Sequence, residues 1–209
     1  MSETKRMAVL LSGLHYIPHF RHWHSGYIDI DFRHYINNIK DHVYYPFIKQ
    51  GYIIDFFLCT NHSVIEDELN IYNPVNISFT DNTNHLKKYK GFCDILEHGN
   101  KNNFSYDLIC STRFDIYFMK DFEIDKTKLN IFSILEVNHF ICDNFYLFPG
   151  NMLHKMIEIF KLANDDKLFG HSIINKLNYD EVNFIKNEYT YVGNLTSYKL
   201  HYLSKRTYS

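Results

Sequence analysis

Arg113 and Asp115 stand one residue apart in the stretch YDLICSTRFDIYF, residues 106–118, directly after the apolar run Leu108, Ile109 and Cys110. Charges at the end of a core strand are costly unless they are paired, bind a ligand or face a cleft. An aspartate there can ligate Mg²⁺ or Mn²⁺, hard cations that take oxygen donors and keep several waters. Such an ion bridges a diphosphate and neutralises the charge that develops as the diphosphate leaves. The planar donor fork of Arg113 suits a phosphate or a sugar hydroxyl. Phe114, between the two, points the opposite way into the core. The same residues also fit a structural Arg–Asp pair capping the sheet edge, and the residues alone allow both.

The segment HYIPHFRHWH, residues 15–24, gathers His15, His19, His22 and His24 around Arg21 and Trp23. Zinc sites use histidines at such spacings, but no cysteine or second cluster completes a tetrahedral set. The segment is expected to be a loop over the ligand edge, where Arg21 or a histidine touches phosphate and Trp23 stacks on a sugar. A surface loop without function fits the same residues. Asp143-Asn144 separates two strand-like runs, residues 140–142 and 145–148. Such a pair either aims side chains at a substrate from a bulge or makes a tight hairpin turn. His171 offers an imidazole that titrates near neutral pH as an alternative proton acceptor. In the C-terminal stretch YKLHYLSKR, Lys199, Lys205 and Arg206 can neutralise a diphosphate, although a solvated tail reads equally well.

These groups need a scaffold. Residues 7–12 form a short apolar run ending in Ser12-Gly13, as a first buried parallel strand does. Residues 31–50 carry Ile36, Ile39, Val43 and Phe47 at helical spacing, with Asp31 as N-cap, Gly51 as stop and Pro46 bending the last turn. Residues 52–59 predict a second strand, leading to Thr60. Residues 63–70 predict a short helix, 75–79 a strand and 84–98 a helix. Strands follow at 107–111, 131–137 and 144–148, helices at 150–163 and 171–177, and short strands near Phe184 and Tyr189. Strand and helix alternate through the first half, which predicts an α/β fold with a mainly parallel mixed sheet flanked by helices. Ligands of such sheets bind beyond the carboxyl ends of the strands. Ser12-Gly13, Thr60 and Arg113-Asp115 all fall on that edge, where Gly13, lacking a Cβ, permits close approach of a ligand.

The chain has 209 residues, 45% of them hydrophobic and 22% charged, enough for one domain with a sizeable core and too apolar for disorder. No repeat or linker divides it. A net charge of −2 without a basic stripe argues against nucleic acid as the main partner. No apolar run is long enough for a transmembrane segment. The start, MSETKRMAVLLSG, is too short in apolar residues for a signal peptide, so an intracellular, cytoplasmic protein is expected. Cys59, Cys93, Cys110 and Cys142 form no CxxC pair and are expected to be reduced core residues.

The pieces AVLLSGLHYIPHFR, YDLICSTRFDIYF and CDNFYLFPGNMLHKMIEIF, with GHSIINKL before the last expected helix, occur in one order and cover most of the chain. In that order they resemble GT-A-type glycosyltransferases of bacterial polysaccharide clusters and large viruses. More loosely, they resemble the first domain of a chlorovirus multidomain rhamnosyltransferase. The resemblance implies a single GT-A-like, Rossmann-like domain. It would transfer a sugar from a nucleotide-sugar donor, with UDP as the nucleotide, to a glycan acceptor. It places Ser12 and Gly13 at the base and ribose, Thr60 near the base, and the Asp143-Asn144 pair beside the sugar, with Asp143 as general base and His171 as the alternative. It makes Asp115 the surviving acid of a DxD motif for Mn²⁺ or Mg²⁺, with His201 as a C-terminal metal ligand. The departure is Arg113, which stands where that motif has its first aspartate.

Overall fold

The computed structural model describes residues 4–22, 26–118, 123–135, 140–165, 177–186, 202–204 and 207–208. Strand β1 (Lys5–Ser12) is its hub, buried from Met7 onward. Met7, Val9 and Leu11 enter one apolar cluster, and Ala8 and Leu10 enter the other. A strand covered on both faces needs an unbroken apolar run, which MAVLL supplies.

Strands β2 (Tyr16–His22) and β3 (Gly26–Asp31) pair antiparallel. The loop expected over residues 15–24 is therefore corrected to strand through His22. Pro18 hid it: the residue sits where the β2–β3 register shifts, between Ile17 and Phe20, a place where a missing N–H breaks no ladder bond. Asp31 caps a 3-10 turn (Phe32–His34) by accepting the Arg33 N–H at 3.0 Å. Helix α1 (Ile36–Ile39), a π turn (Lys40–Tyr44) and α2 (Tyr45–Ile48) follow. The helix expected over 31–50 exists but changes register. Pro46 has no N–H for the carbonyl four residues back, and ahead of it the spacing widens, with Tyr45 N–H reaching the Lys40 carbonyl.

Strand β4 (Tyr52–Thr60) lies parallel to β1. A 3-10 helix (Glu66–Tyr72) replaces the short helix expected at 63–70, and β5 (Asn76–Phe79) pairs with β4. Then come α3 (Asn84–Lys101), β6 (Leu108–Arg113), β7 (Ile116–Phe118), β8 (Leu129–Leu135), β9 (Phe140–Pro149), α4 (Leu153–Asp165) and β10 (Val182–Lys186). Short β11 (Tyr202–Ser204) pairs with β7, and β12 (Thr207–Tyr208) with β3. The helix expected at 171–177, apart from Leu177, and the strand near Tyr189 lie outside the described residues.

Among the described residues the central sheet has seven strands in the order β10-β8-β9-β6-β1-β4-β5, and only β9 runs against its neighbours. Residues of α3 and α4 cover the face of Ala8 and Leu10, while those of α1 and α2 cover the face of Met7, Val9 and Leu11. The α/β class with a mainly parallel mixed sheet is as expected. Gly91 of α3 lets that helix approach the sheet, since a Cβ there would fall 2.3 Å from Leu10 Cδ1. Gly91→Val is expected to lower stability by about 1–3 kcal/mol through overpacking, measured by denaturant unfolding. An unchanged midpoint would mean that α3 can shift outward freely.

Candidate functional site

β1, β4 and β6 are parallel, so their carboxyl ends open on one edge. Ser12 is in register with both Cys59 and Arg113, which brings the expected Ser12, Thr60 and Arg113 together. The chain leaves β1 through Gly13 at φ +109°, a conformation that side chains other than glycine rarely adopt. Its N–H donates to the Cys59 carbonyl at 3.2 Å. A Cβ on Gly13 would lie 3.6 Å from Asn84 Oδ1 and 3.9 Å from Arg113 Cγ. The turn is thus walled by the first residue of α3 on one side and the stem of Arg113 on the other.

Arg113 ends β6, and its guanidinium grips Asp115 with two bonds, Nε to Oδ1 at 2.7 Å and Nη2 to Oδ2 at 2.5 Å. Asp115 is 1% exposed, so a carboxylate at this depth requires such a partner. Phe114 points away and is fully buried among His15, Phe32 and Tyr72, as its parity requires. Of the two readings that the residues allowed, the pair forms. Arg113 nevertheless keeps a part-exposed edge, and its Nη1 donates to Asn144 Oδ1 at 3.3 Å.

Asn144 reaches this point because β9 bulges. The β8–β9 register jumps from Ile131↔Tyr146 to Ser133↔Ile141, and Asp143 and Asn144 lie in the excess. β9 is one strand from Phe140 to Pro149, so the hairpin-turn alternative is excluded and the bulge alternative stands. Thr112 Oγ1 donates to the Asn144 carbonyl at 3.1 Å and fixes the bulge against β6. The side chains of Asp143 and Arg21 lie outside what is described, as do His171 and His201 altogether. The backbone of Arg21 pairs with Tyr27 in the β2–β3 ladder.

Thr60 is fully buried, and its hydroxyl faces inward. It donates to the Gly13 carbonyl at 2.7 Å and accepts from His15 Nδ1 at 2.7 Å, while His15 Nε2 takes the Ser63 hydroxyl at 2.6 Å. Thr60 therefore shapes the Ser12–Gly13 turn from behind. His15, expected on a loop, is a fully buried part of the core. Sequence offered no signal for this, because its partners lie 45 and 48 residues away.

This network needs neutral imidazole, and burial lowers the His15 pKa to about 4, against the pull of Glu66. The unfolded chain protonates His15 near 6.5, so between 6.5 and 4 it binds a proton that the folded chain refuses. Stability is therefore full above 6.5 and falls as pH drops, by about 3 kcal/mol if this group acts alone. Denaturant midpoints at neutral and acid pH should show a larger acid loss in the wild type than in His15→Gln. Parallel curves would remove His15 from the acid response.

The divalent ion implied by the resemblance can be tested against the donor set. Both Asp115 oxygens are held by Arg113, and no group of three or more His, Cys, Asp or Glu that could hold a metal occurs among the described residues. The described donors alone do not make up a set for a protein-held ion, and His201, the other expected ligand, lies outside the described residues. Also on this edge, the Ser12 hydroxyl is buried and makes no hydrogen bond; the Ser111 hydroxyl is in the same state two residue pairs deeper. The thiols of Cys59, Cys93 and Cys110 are free, and burial pushes Cys59 up to about 12, which makes it inert. No described helix is long and apolar enough to cross a membrane.

No family model matches the chain, and no curated protein does. Among solved structures it is similar to a glycosyltransferase involved in the glycosylation of the major capsid of PBCV-1. That likeness has 10% identity and a TM-score of 0.44, over 87% of this chain and 80% of the other. It is also similar to the glycosyltransferase GlyE of Streptococcus pneumoniae TIGR4. There the identity is 12% and the TM-score 0.49 for the apo form, and this chain spans 45% of that one.

Proposed function

We propose that this chain transfers a sugar from a nucleotide-sugar donor, with UDP as the nucleotide, to a glycan acceptor with inversion. The reading is supported most by the Arg-Phe-Asp element, which stands at the carboxyl edge of β6 beside the Ser12–Gly13 turn, with Asn144 of the β9 bulge against it. A diphosphate is the ligand chemistry that such an edge suits.

Inversion is a single displacement. A base takes the proton of an acceptor hydroxyl, that oxygen forms the new bond to the anomeric carbon, and the bond to the diphosphate breaks with its electron pair leaving on oxygen. Asp143 is the proposed base and His171 the alternative. Arg113 is the proposed cation facing the departing oxygen, preorganised by Asp115 and Asn144. Titrating UDP into Asp115→Asn with and without Mn²⁺ separates two roles for this carboxylate. Equal loss in both conditions is expected, since its oxygens serve Arg113; a loss confined to Mn²⁺ would assign Asp115 to the ion.

One observation favours a second reading, a nucleotide- or glycan-binding domain without turnover: Arg113 occupies the place of a carboxylate and saturates Asp115. A melting screen of nucleotides and nucleotide sugars bears on both readings, because a ligand at a hundred times its Kd adds about 2.7 kcal/mol of stability. UDP and one UDP-sugar should raise the melting temperature. No shift with any nucleotide or nucleotide sugar would overturn the first reading and leave only glycan binding of the second. A shift without release of UDP from that sugar would favour the second.

A further inference from the structure

The first turns of α3 carry adjacent lysines that are almost wholly buried, Lys87 at 2% exposure and Lys88 at 0%. Lysines are rarely buried to this degree unless something holds their charge. The Lys88 ammonium lies 5.6 Å from the Tyr146 ring centroid. Lys87 makes no salt bridge among the described residues, and the exposed Asp81 carboxylate is a charge that it feels. Lys87 stands one turn after Asn84 on α3, and Asn84 lies against Gly13, so the buried Lys87 belongs to the part of the helix that packs beside the Ser12–Gly13 turn.

Two further observations meet there. α3 starts at Asn84, the Thr83 side chain does not cap its first turn, and Asn84 stands against Gly13. The Ser12 hydroxyl, 1% exposed, is unbonded. Ser12 alternates with Ala8 and Leu10, which pack against α3 residues Phe92 and Ile95, so it faces the helix. A buried cation, an orphan hydroxyl and a helix N-terminus converge on one corner. Asn84, His85 and Arg113, all part-exposed, form its rim. Asp115 is held by Arg113, and Asp94 by Lys90 and Ser78. Among the described residues, the carboxylate that Lys87 feels is the exposed Asp81.

We propose that the diphosphate of the donor is held on the α3 side of this edge by Lys87, the Ser12 hydroxyl and the first-turn N–H groups of α3, which supply neutralisation that the described donors alone do not hold a metal to supply. This rests on the donor reading above, yet the anion site can be tested without it. Phosphates commonly bind where uncapped N–H groups and a lysine converge.

The test uses the full chain in EDTA, with inorganic pyrophosphate, UDP and UMP titrated by calorimetry. Pyrophosphate and UDP should bind without metal, and UDP more tightly than UMP. Lys87→Met should weaken UDP and pyrophosphate by about tenfold or more, the scale of one charge-assisted bond, and leave UMP nearly unchanged. The same variant should melt higher than wild type when no ligand is present, because it removes a buried charge. Ser12→Ala, which changes little else, should weaken UDP several-fold. Wild-type pyrophosphate and UDP affinity in Lys87→Met would overturn the proposal, as would UDP binding that vanishes in EDTA. If pyrophosphate binds through Lys87 while no nucleotide binds, the anion site stands and the donor reading fails.

Discussion

Replacing Arg113 by Met is expected to cost about 3–5 kcal/mol of stability, because it leaves the Asp115 carboxylate buried and uncompensated. The cost comes from the orphaned partner more than from the lost bonds. The double variant Arg113→Met, Asp115→Leu removes both charges and should recover most of that loss, since apolar replacements of a buried pair are often neutral. Denaturant unfolding of the two single variants and the double one completes the cycle. If the single variant matches wild type, the pair is more hydrated than its burial implies. Ligand binding separates structure from function: UDP affinity should stay low in the double variant despite its restored stability. Recovery of affinity together with stability would make the pair a sheet-edge cap and nothing more.

The second large effect concerns Asp143. Inversion needs a carboxylate or imidazole on the acceptor side of the sugar, opposite the diphosphate. Asp115 is occupied by Arg113, and Asp107 accepts the Arg6 N–H at 2.7 Å beside the start of β6, at the far end of the sheet. The backbone of Asp143 lies in the β9 bulge next to Asn144, whose side chain already meets Arg113. Asp143→Asn should leave UDP affinity nearly intact while transfer falls roughly 10²-fold or more, the scale of a lost general base. If transfer persists there but disappears in His171→Ala, the two roles must be exchanged.

The residues that carry the edge were legible because apolar runs with strand punctuation are strong local signals. β1, β4 and β6 each end where an apolar run meets Ser12-Gly13, Thr60 or Arg113. Their convergence follows from the parallel alternation alone. What remained hidden depends on distant partners. Nothing near His15 shows that Thr60 and Ser63 will enclose it. Lys87 and Lys88 look like solvated helix residues, yet they are buried on the helix that Gly91 lets approach Leu10. Pro18 disguised a strand, and Pro46 changed a helical register that the apolar spacing showed as uniform.

The central claim is that a nucleotide sugar is consumed at this edge. Its most direct test is the initial rate of nucleoside diphosphate release by the wild-type chain from a panel of nucleotide sugars. Saturable UDP release from at least one UDP-sugar, lost in Asp143→Asn while UDP still binds that variant, is the predicted result. Release no faster than the enzyme-free blank for every sugar tested would contradict it.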